Sequence, residues 1–461
     1  VFAASPDDPT TIDVIGSRSL SYAVRRLDLT RLASLMEAVW DGEAFVSLLS
    51  KLVGEARHLQ NGAACVAVED RAARHVLDAL QPYSVEAGGP LVVRHVTYAE
   101  GRGNVLVELP GVSREVGVSL VGMHLDVVPA NPDTWSFDPF ALSRSGDELR
   151  GRGVTDCLGH VALVAQLLVA LAKAGYKPAR SLRAVFIANE ENSRLLGVGV
   201  DELLKRGELD ALRSGPLLWV DVADVRPCIG TGGVAAWTLR ASGKLGHSGL
   251  PQNTVNSLEL VMEAVAELQR RFYARYPAHP QEAVYQFACG STFKPTQAFG
   301  TGNSVNQVPG EATLAGDIRI TPFYELSEVM ASIEADVAEL NSTLALPTRG
   351  PWSAYALPAE GLRGKLTLSW GEGTSRGVAC NLASPGYAAL KDAFIAVTGK
   401  CEPMAITGSL PCIRDLQDAG FDVQTVGFGL MKVYHANDEF GLLSDFKTGF
   451  KVLARVVSAL L

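Results

Sequence analysis

Short, almost uninterrupted apolar runs govern what this chain can become. Residues 105–109, 119–124, 182–188 and 216–221 are each strand-length and nearly free of polar side chains. A strand carries such a run when both its faces are covered. Residues 161–174 lie among them as a stretch of helical length that is apolar except for Gln166 and Lys173. The alternation predicts an α/β layer: a mostly parallel central sheet with flanking helices. Upstream, helical periodicity begins near Leu29 and runs through Phe45, Leu48, Leu49 and Leu52. The segment 1–30 is polar, with Pro6, Asp7, Asp8 and Pro9, and reads as a loose arm.

The pattern changes after Gly230, Thr231, Gly232 and Gly233. Residues 237–243, 312–320 and 365–370 alternate as half-exposed strands do, and 256–276 and 326–340 are amphipathic helices. This predicts a second, α+β domain with one open sheet face. From Pro385 the first style returns, with a helix to about residue 397, a strand at 422–427 and a final helix from Leu442. Residues 235–378 therefore read as an insertion that splits the first domain into 1–234 and 379–461. A chain of 461 residues is long enough for both.

Composition excludes several roles. The net charge is −9 and no Lys/Arg-rich run occurs, so a nucleic-acid partner is not expected. No apolar stretch approaches the roughly 20 residues of a membrane helix. Residues 1–20 lack an apolar segment, so they do not read as a secretory signal. The chain starts at Val1, which leaves a processed or truncated precursor open. Cys65, Cys157, Cys228, Cys289, Cys380, Cys401 and Cys412 are scattered without a Cys-x-x-Cys pair. That excludes a zinc ribbon and fits buried thiols in a reducing, intracellular compartment rather than a secreted protein.

Polar residues stand at the ends of the apolar runs. His124 and Asp126 end one strand and point to the same side of it. A carboxylate beside a histidine fixes its tautomer, although such a pair is commonly structural. Asp156 stands between a glycine-rich turn and a helix start, where an N-cap is the ordinary reading. Glu190 and Glu191 follow the strand at 182–188, and adjacent carboxylates at a buried strand end need compensating charge. Asp221 ends the next strand, with Asp224 as a competitor for the same role. His435 precedes the final helix in a loop. His124, Asp156, Glu191, Asp221 and His435 together supply two nitrogens and three carboxylates. That donor set suits zinc, with cobalt or manganese as alternatives. With one carboxylate bridging, two ions would stand about 3.5–4 Å apart and acidify a shared water to a pKa of about 7. Glu190 would then be the general base.

The order His-x-Asp, Gly-Arg-Gly-x-x-Asp, Glu-Glu, Asp and a late His resembles the acetylornithine deacetylase, succinyl-diaminopimelate desuccinylase, aminoacylase and carboxypeptidase G group of metalloamidases. It covers nearly the whole chain from about Phe45. Residues 158–164, 197–200, 227–233, 291–296 and 413–417 are similar to the plant-type acetylornithine deacetylase branch.

That resemblance implies two divalent ions per chain. Asp156 bridges them and is followed by a cis peptide to Cys157. Asp221 and His124 hold one ion, and Glu191 and His435 the other; Pro227 favours Asp221 over Asp224. A metal-held hydroxide attacks the acetyl carbonyl, Glu190 is the base, and Asp126 orients His124. The insertion becomes a ferredoxin-like lid and dimerisation domain of a homodimer, and the split domain the catalytic one. His247 polarises the substrate carbonyl across the dimer. Arg319 and Asn306, the latter within a matching run that starts at Asn303, clamp the substrate carboxylate; the ordinary alternative for Arg319 is pairing with Asp317 or Glu311. Gly408 lies on a catalytic-domain loop near the substrate backbone. Cys157 and His160 depart from the Met-Lys-Gly pattern of many relatives; Cys157 lies near the metals, and His160 faces the helix.

The implied activity is hydrolysis of N2-acetyl-L-ornithine to L-ornithine and acetate, a step of arginine biosynthesis, in cytoplasm or plastid stroma. A deacylase or dipeptidase for another N-acyl amino acid is the first alternative. A non-catalytic binding protein on this fold is the second, but such relatives normally lose ligands and every one is present here.

Overall fold

The apolar stretch that ends at His124 is a strand buried along all of Val116–His124. The computed structural model describes residues 39–62, 64–192, 195–300, 304–350 and 354–461. The arm expected over 1–30, the helical start near Leu29, and Asn303 lie outside them. The chain divides into two compact units. One contains Val1–Pro227, Asn381–Glu402 and Gly420–Leu461; the other contains Cys228–Cys380 and Pro403–Ala419.

In the first unit, helix α1 (Gly42–Leu59) starts at Asp41, whose carboxylate accepts the Ala44 N–H at 2.9 Å. It turns Phe45, Leu48, Leu49 and Leu52 inward. Helix α2 (Asp70–Leu80) buries Ala72, Ala73, Val76 and Leu80. Two of those four are alanines, so its apolar stripe is weak in the sequence. Strand β1 (Val92–Thr97) is a half-exposed edge strand that pairs antiparallel with β2 (Gly103–Leu109). Strand β3 (Val116–His124) leads to the loop before α3 (Leu158–Lys173), which is buried all round except at Gln166 and Lys173. Strand β4 (Ser181–Ile187) runs parallel to β3 and antiparallel to β2. Strand β5 (Leu217–Val220) runs parallel to β3 on its other side.

The second unit begins within β6 (Arg226–Thr231). Strand β7 (Gly233–Ser242), helix α4 (Ser257–Arg275), β8 (Thr292–Phe299), β9 (Glu311–Ile320), α5 (Leu326–Thr343) and β10 (Lys365–Trp370) follow. They form a four-stranded antiparallel sheet ordered β8-β9-β7-β10. This is the β-α-β-β-α-β arrangement of ferredoxin-like folds. Burial alternates along β7, because only one sheet face is covered. Trp237 and Phe293 stack there at 4.7 Å between ring centroids, against Phe272 of α4. Arg271 and Arg275 of α4 reach Asp336 of α5.

Strand β11 (Val378–Ala379) pairs antiparallel with β6, and β12 (Met404–Ile406) pairs parallel with it. Gly232 N–H also faces the carbonyls of Ile406 and Gly408, both at 2.9 Å. These bonds place residues 403–419, Gly408 included, in the second unit rather than with the flanking catalytic segment expected over 379–461. The first unit then resumes with α6 (Pro385–Thr398), strand β13 (Val423–Gly427) parallel to β5, and helix α7 (Leu443–Leu460). Its strands lie in the order β1-β2-β4-β3-β5-β13. Phe446, Phe450 and Leu453 of α7 share one core with α1 and α3.

Phe272 is fully buried in the second unit's core. Phe272→Ala should destabilise that unit by about 3–5 kcal/mol, read as a lowered denaturation midpoint with unchanged denaturant slope.

Candidate metal centre

Three parallel strands end side by side, and each end carries acidic or imidazole side chains. Strand β3 ends at His124 with Asp126 just beyond; β4 is followed by Glu190 and Glu191; β5 is followed by Asp221. Carboxyl ends of parallel strands are where α/β sheets place ligands. Close packing holds this register. At Gly122, φ is +95° and a Cβ would stand 2.6 Å from the Trp219 ring, so β3 and β5 approach as they do only with glycine there.

Asp156 enters from the loop before α3. It is not the helix N-cap; Cys157 holds that position and the Asp156–Cys157 peptide is cis. The Asp156 carboxylate divides its oxygens. Oδ1 is 3.0 Å from His124 Nε2 and Oδ2 is 3.1 Å from His435 Nε2. His435 Nε2 is also 3.3 Å from Glu191 Oε2, and His124 Nε2 is 3.7 Å from Asp221 Oδ1. Asp224 instead accepts the Met431 N–H at 3.0 Å, which separates it from Asp221. His160, as expected, is turned away: its Nε2 accepts the Phe428 N–H at 2.7 Å.

Potential donor atoms within 4.8 Å of one another occur in three groups: His124, Cys157 and Asp221; His124, Glu190 and Glu191; Asp156, Glu191 and His435. The acids are tightly buried. Burial pushes Glu190 well above the usual carboxylate range and Glu191 and Asp221 up to about 7, with neighbouring acids adding to it. For Asp156 burial acts the same way, but hydrogen bonds to His124 and His435 outweigh it and hold the carboxyl low. Those same bonds, from Asp156 first and Glu191 second, push His435 up to about 11. Glu191 Oε1 and Asp221 Oδ1 are buried without a hydrogen-bond donor. Buried anionic oxygens without donors, grouped with imidazole nitrogens, are what divalent cations compensate, so these residues fit metal ions.

Of the supporting groups, Asp126 is expected from the sequence; Glu439 and Asn61 are not. Glu439, fully buried, accepts from Arg152 Nη1 at 2.6 Å and from the N–H groups of Gly153, Thr155 and Asp156 at 3.0, 2.8 and 3.1 Å. Asp126 accepts the N–H groups of Glu190 and Glu191, both at 3.1 Å, and Asn61 Nδ2 at 2.7 Å. Asn61 also donates to Asn189, which donates its own N–H to Glu69, the partner of Arg102. A Glu at the end of the 434–439 run was the one visible signal for the first of these.

The remaining candidates lie in the second unit. His247 and Asn306 are brought together by a short ribbon in which Gly246 pairs with Val308 and His247 with Gln307. His247 Nδ1 accepts the Gly249 N–H at 2.9 Å. The Asn306 carbonyl accepts the Ser248 N–H at 2.9 Å. Arg319, on β9, donates Nε to Asp317 Oδ2 at 2.8 Å, the pairing weighed as its ordinary alternative.

A profile of Peptidase family M20/M25/M40 matches residues 120–459. An acetylornithine deacetylase of Arabidopsis thaliana is 55% identical over 425 residues, 91% of this chain and 96% of that protein. One from Dictyostelium discoideum is 47% identical over 437 residues, covering 91% and 97%. Among solved structures, a di-peptidase of Saccharomyces cerevisiae superposes with a TM-score of 0.65 at 17% identity, covering 94% of this chain and 98% of its own.

The electrostatics set a pH dependence. Glu191 and Asp221 bind protons more tightly folded than unfolded, so the stability they lend is lost as pH rises towards about 7. His435 lends stability below its ordinary 6.5 and loses it towards about 11. The opposite contribution of Asp156 is complete above its ordinary 3.8. Metal-stripped protein should therefore lose thermal stability as pH rises from about 4.5 to about 7, with His435 extending the fall towards 11, and metal-loaded protein should not show that fall. Scanning calorimetry on both forms measures it. Separately, Glu439→Ala leaves Arg152 unpaired and should cost about 3–5 kcal/mol in chemical denaturation, with reduced metal uptake.

Proposed function

The chain belongs to peptidase family M20/M25/M40, and we propose that it is a two-metal amide hydrolase that converts N2-acetyl-L-ornithine and water to L-ornithine and acetate in arginine biosynthesis. One observation carries the two-metal reading: Asp156 presents one oxygen to His124 and the other to His435, at 3.0 and 3.1 Å. In this reading Asp156 would be shared by the two ions, Asp221 and His124 would hold one, and Glu191 and His435 the other. The ions are zinc, with cobalt or manganese as alternatives. Two bound cations polarise the amide carbonyl and acidify water at the site. The substrate assignment follows the near-full-length plant relative.

The side chains divide the remaining work. Asp126 receives the His124 Nδ1–H, through its backbone carbonyl at 2.9 Å and its carboxylate at 3.3 Å, so Nε2 faces the site. Glu190 takes a proton from the attacking water and delivers it to the leaving amine. Its burial, at 6% exposure, favours the protonated state needed for that delivery. His247 donates from Nε2 to the oxygen that gains charge, across the interface of a homodimer formed through residues 235–378. Arg319 and Asn306 hold the substrate carboxylate, and Gly408 approaches its backbone.

No described helix is long and apolar enough to cross a membrane, and no disulfide forms among the seven cysteines. The seven free thiols support a reducing compartment, cytoplasm or plastid stroma.

Glu190→Gln should lower turnover by about a hundred- to ten-thousand-fold while metal content stays at two equivalents per chain. Near-normal activity in that variant would sink the assignment of the base. Acetate release should be faster from N2-acetylornithine than from N-acetylmethionine, and faster than succinate release from succinyl-diaminopimelate. A preference for either competitor would move the chain to another acyl-amino acid.

A further inference from the structure

We propose that the sulfur of Cys157 binds directly to the metal ion held by His124 and Asp221, making that position a nitrogen–oxygen–sulfur site and leaving the Asp156, Glu191 and His435 position with nitrogen and oxygen only. The inference rests on the two-metal reading above. Cys157 Sγ, a ring nitrogen of His124 and a carboxylate oxygen of Asp221 lie within 4.8 Å of one another. An ion equidistant from three atoms so spaced stands no more than about 2.8 Å from each, so inward shifts of under about 1 Å give the usual bonds of about 2.0–2.3 Å. Cys157 and His124 are fully buried and Asp221 is 2% exposed, so water does not compete for these donors.

Two further observations point the same way. Asp221 Oδ1 is buried and has no hydrogen-bond donor, which leaves an anionic oxygen facing the cluster uncompensated. The second is the tautomer of His160. Its Nε2 accepts the Phe428 N–H at 2.7 Å, so in the ring the proton is on Nδ1. Nδ1 stands 3.6 Å from Cys157 Sγ and can donate to the sulfur. That N–H would stay on the sulfur once a metal ion replaced the thiol proton. On binding, the thiol proton leaves to solvent. The long S–H contacts to the carbonyls of Val220 and Gly122, at 3.7 and 3.8 Å, are given up, and the His160 donor remains.

The two positions then differ in preference. Thiolate favours zinc, cobalt or cadmium over manganese and magnesium, whereas the nitrogen–oxygen position accepts the harder ions. The full chain loaded with two equivalents of cobalt should show a near-ultraviolet thiolate-to-cobalt charge-transfer band. Cys157→Ser should lose that band, and Cys289→Ser, at an exposed cysteine, should keep it. If Cys157→Ser fails to fold by circular dichroism, X-ray absorption of the wild-type zinc protein decides alone. Sulfur at about 2.3 Å beside nitrogen and oxygen at about 2.0 Å supports the proposal. Two zinc equivalents bound with nitrogen and oxygen scatterers only would overturn it and leave the two-metal reading standing. No metal uptake would overturn both.

Discussion

The buried carboxylate of Glu439 is the interaction on which the centre depends. The loop that carries Asp156 has no helix or sheet of its own to satisfy its amides. Glu439 does so instead, taking the N–H groups of Gly153, Thr155 and Asp156 and the guanidinium of Arg152. An unpaired buried amide costs as much as a lost hydrogen bond, so one side chain fixes several backbone positions at once. Asp126 does the same for the loop after β4 by accepting the N–H groups of Glu190 and Glu191. In both places the carboxylate beside the presented group is used to hold its backbone, and the presented side chain is left to face the cluster.

This construction works against stability in one respect. Glu190, Glu191 and Asp221 are all driven towards protonation by burial and by each other. The surrounding network answers only part of that charge. Arg102 is already paired with Glu69, and Arg152 with Glu439. No arginine or lysine among the described residues makes an ion pair with Glu190, Glu191 or Asp221. A site built only for stability would place a fixed cation there. Leaving the charge unanswered is consistent with a cradle for exchangeable cations.

Much of the scaffold was legible because it obeys local rules. The covered strands β3, β4 and β5 are continuous apolar runs, and β7, β9 and β10 alternate; both patterns survive tertiary packing. Helix α2 and strand β1 escaped notice, one because alanines make a faint stripe, the other because an edge strand is half polar. His124, Glu190, Glu191 and Asp221 could be proposed from strand ends, since strand ends converge in a parallel sheet, whereas Asp156 and His435 stand in loops. Glu439 and Asn61 could not. Glu439 meets Asp156 from 283 positions away, and no periodicity records such a contact. The placement of residues 403–419 was missed for the same reason. It depends on the pairing of β12 with β6 and on two carbonyls that receive Gly232 N–H, and short strands carry no signature of their partner.

A common arrangement joins the ordinary and functional readings of several side chains. His124 commits Nδ1 to Asp126 and presents Nε2. His247 commits Nδ1 to the Gly249 N–H, so a neutral ring carries its proton on Nε2, where it is available to donate. Arg319 commits Nε to Asp317, two residues away on the same face of β9, and its terminal nitrogens have no partner among the described residues. The pairing of Arg319 with Asp317 therefore does not compete with a carboxylate clamp. It fixes the plane of the guanidinium and leaves the two-pronged end outward. In the proposed roles, each side chain would lose part of its freedom to a local partner before substrate arrives, lowering the ordering cost of binding. A structural hydrogen bond on one atom is the means by which the other atom is aimed.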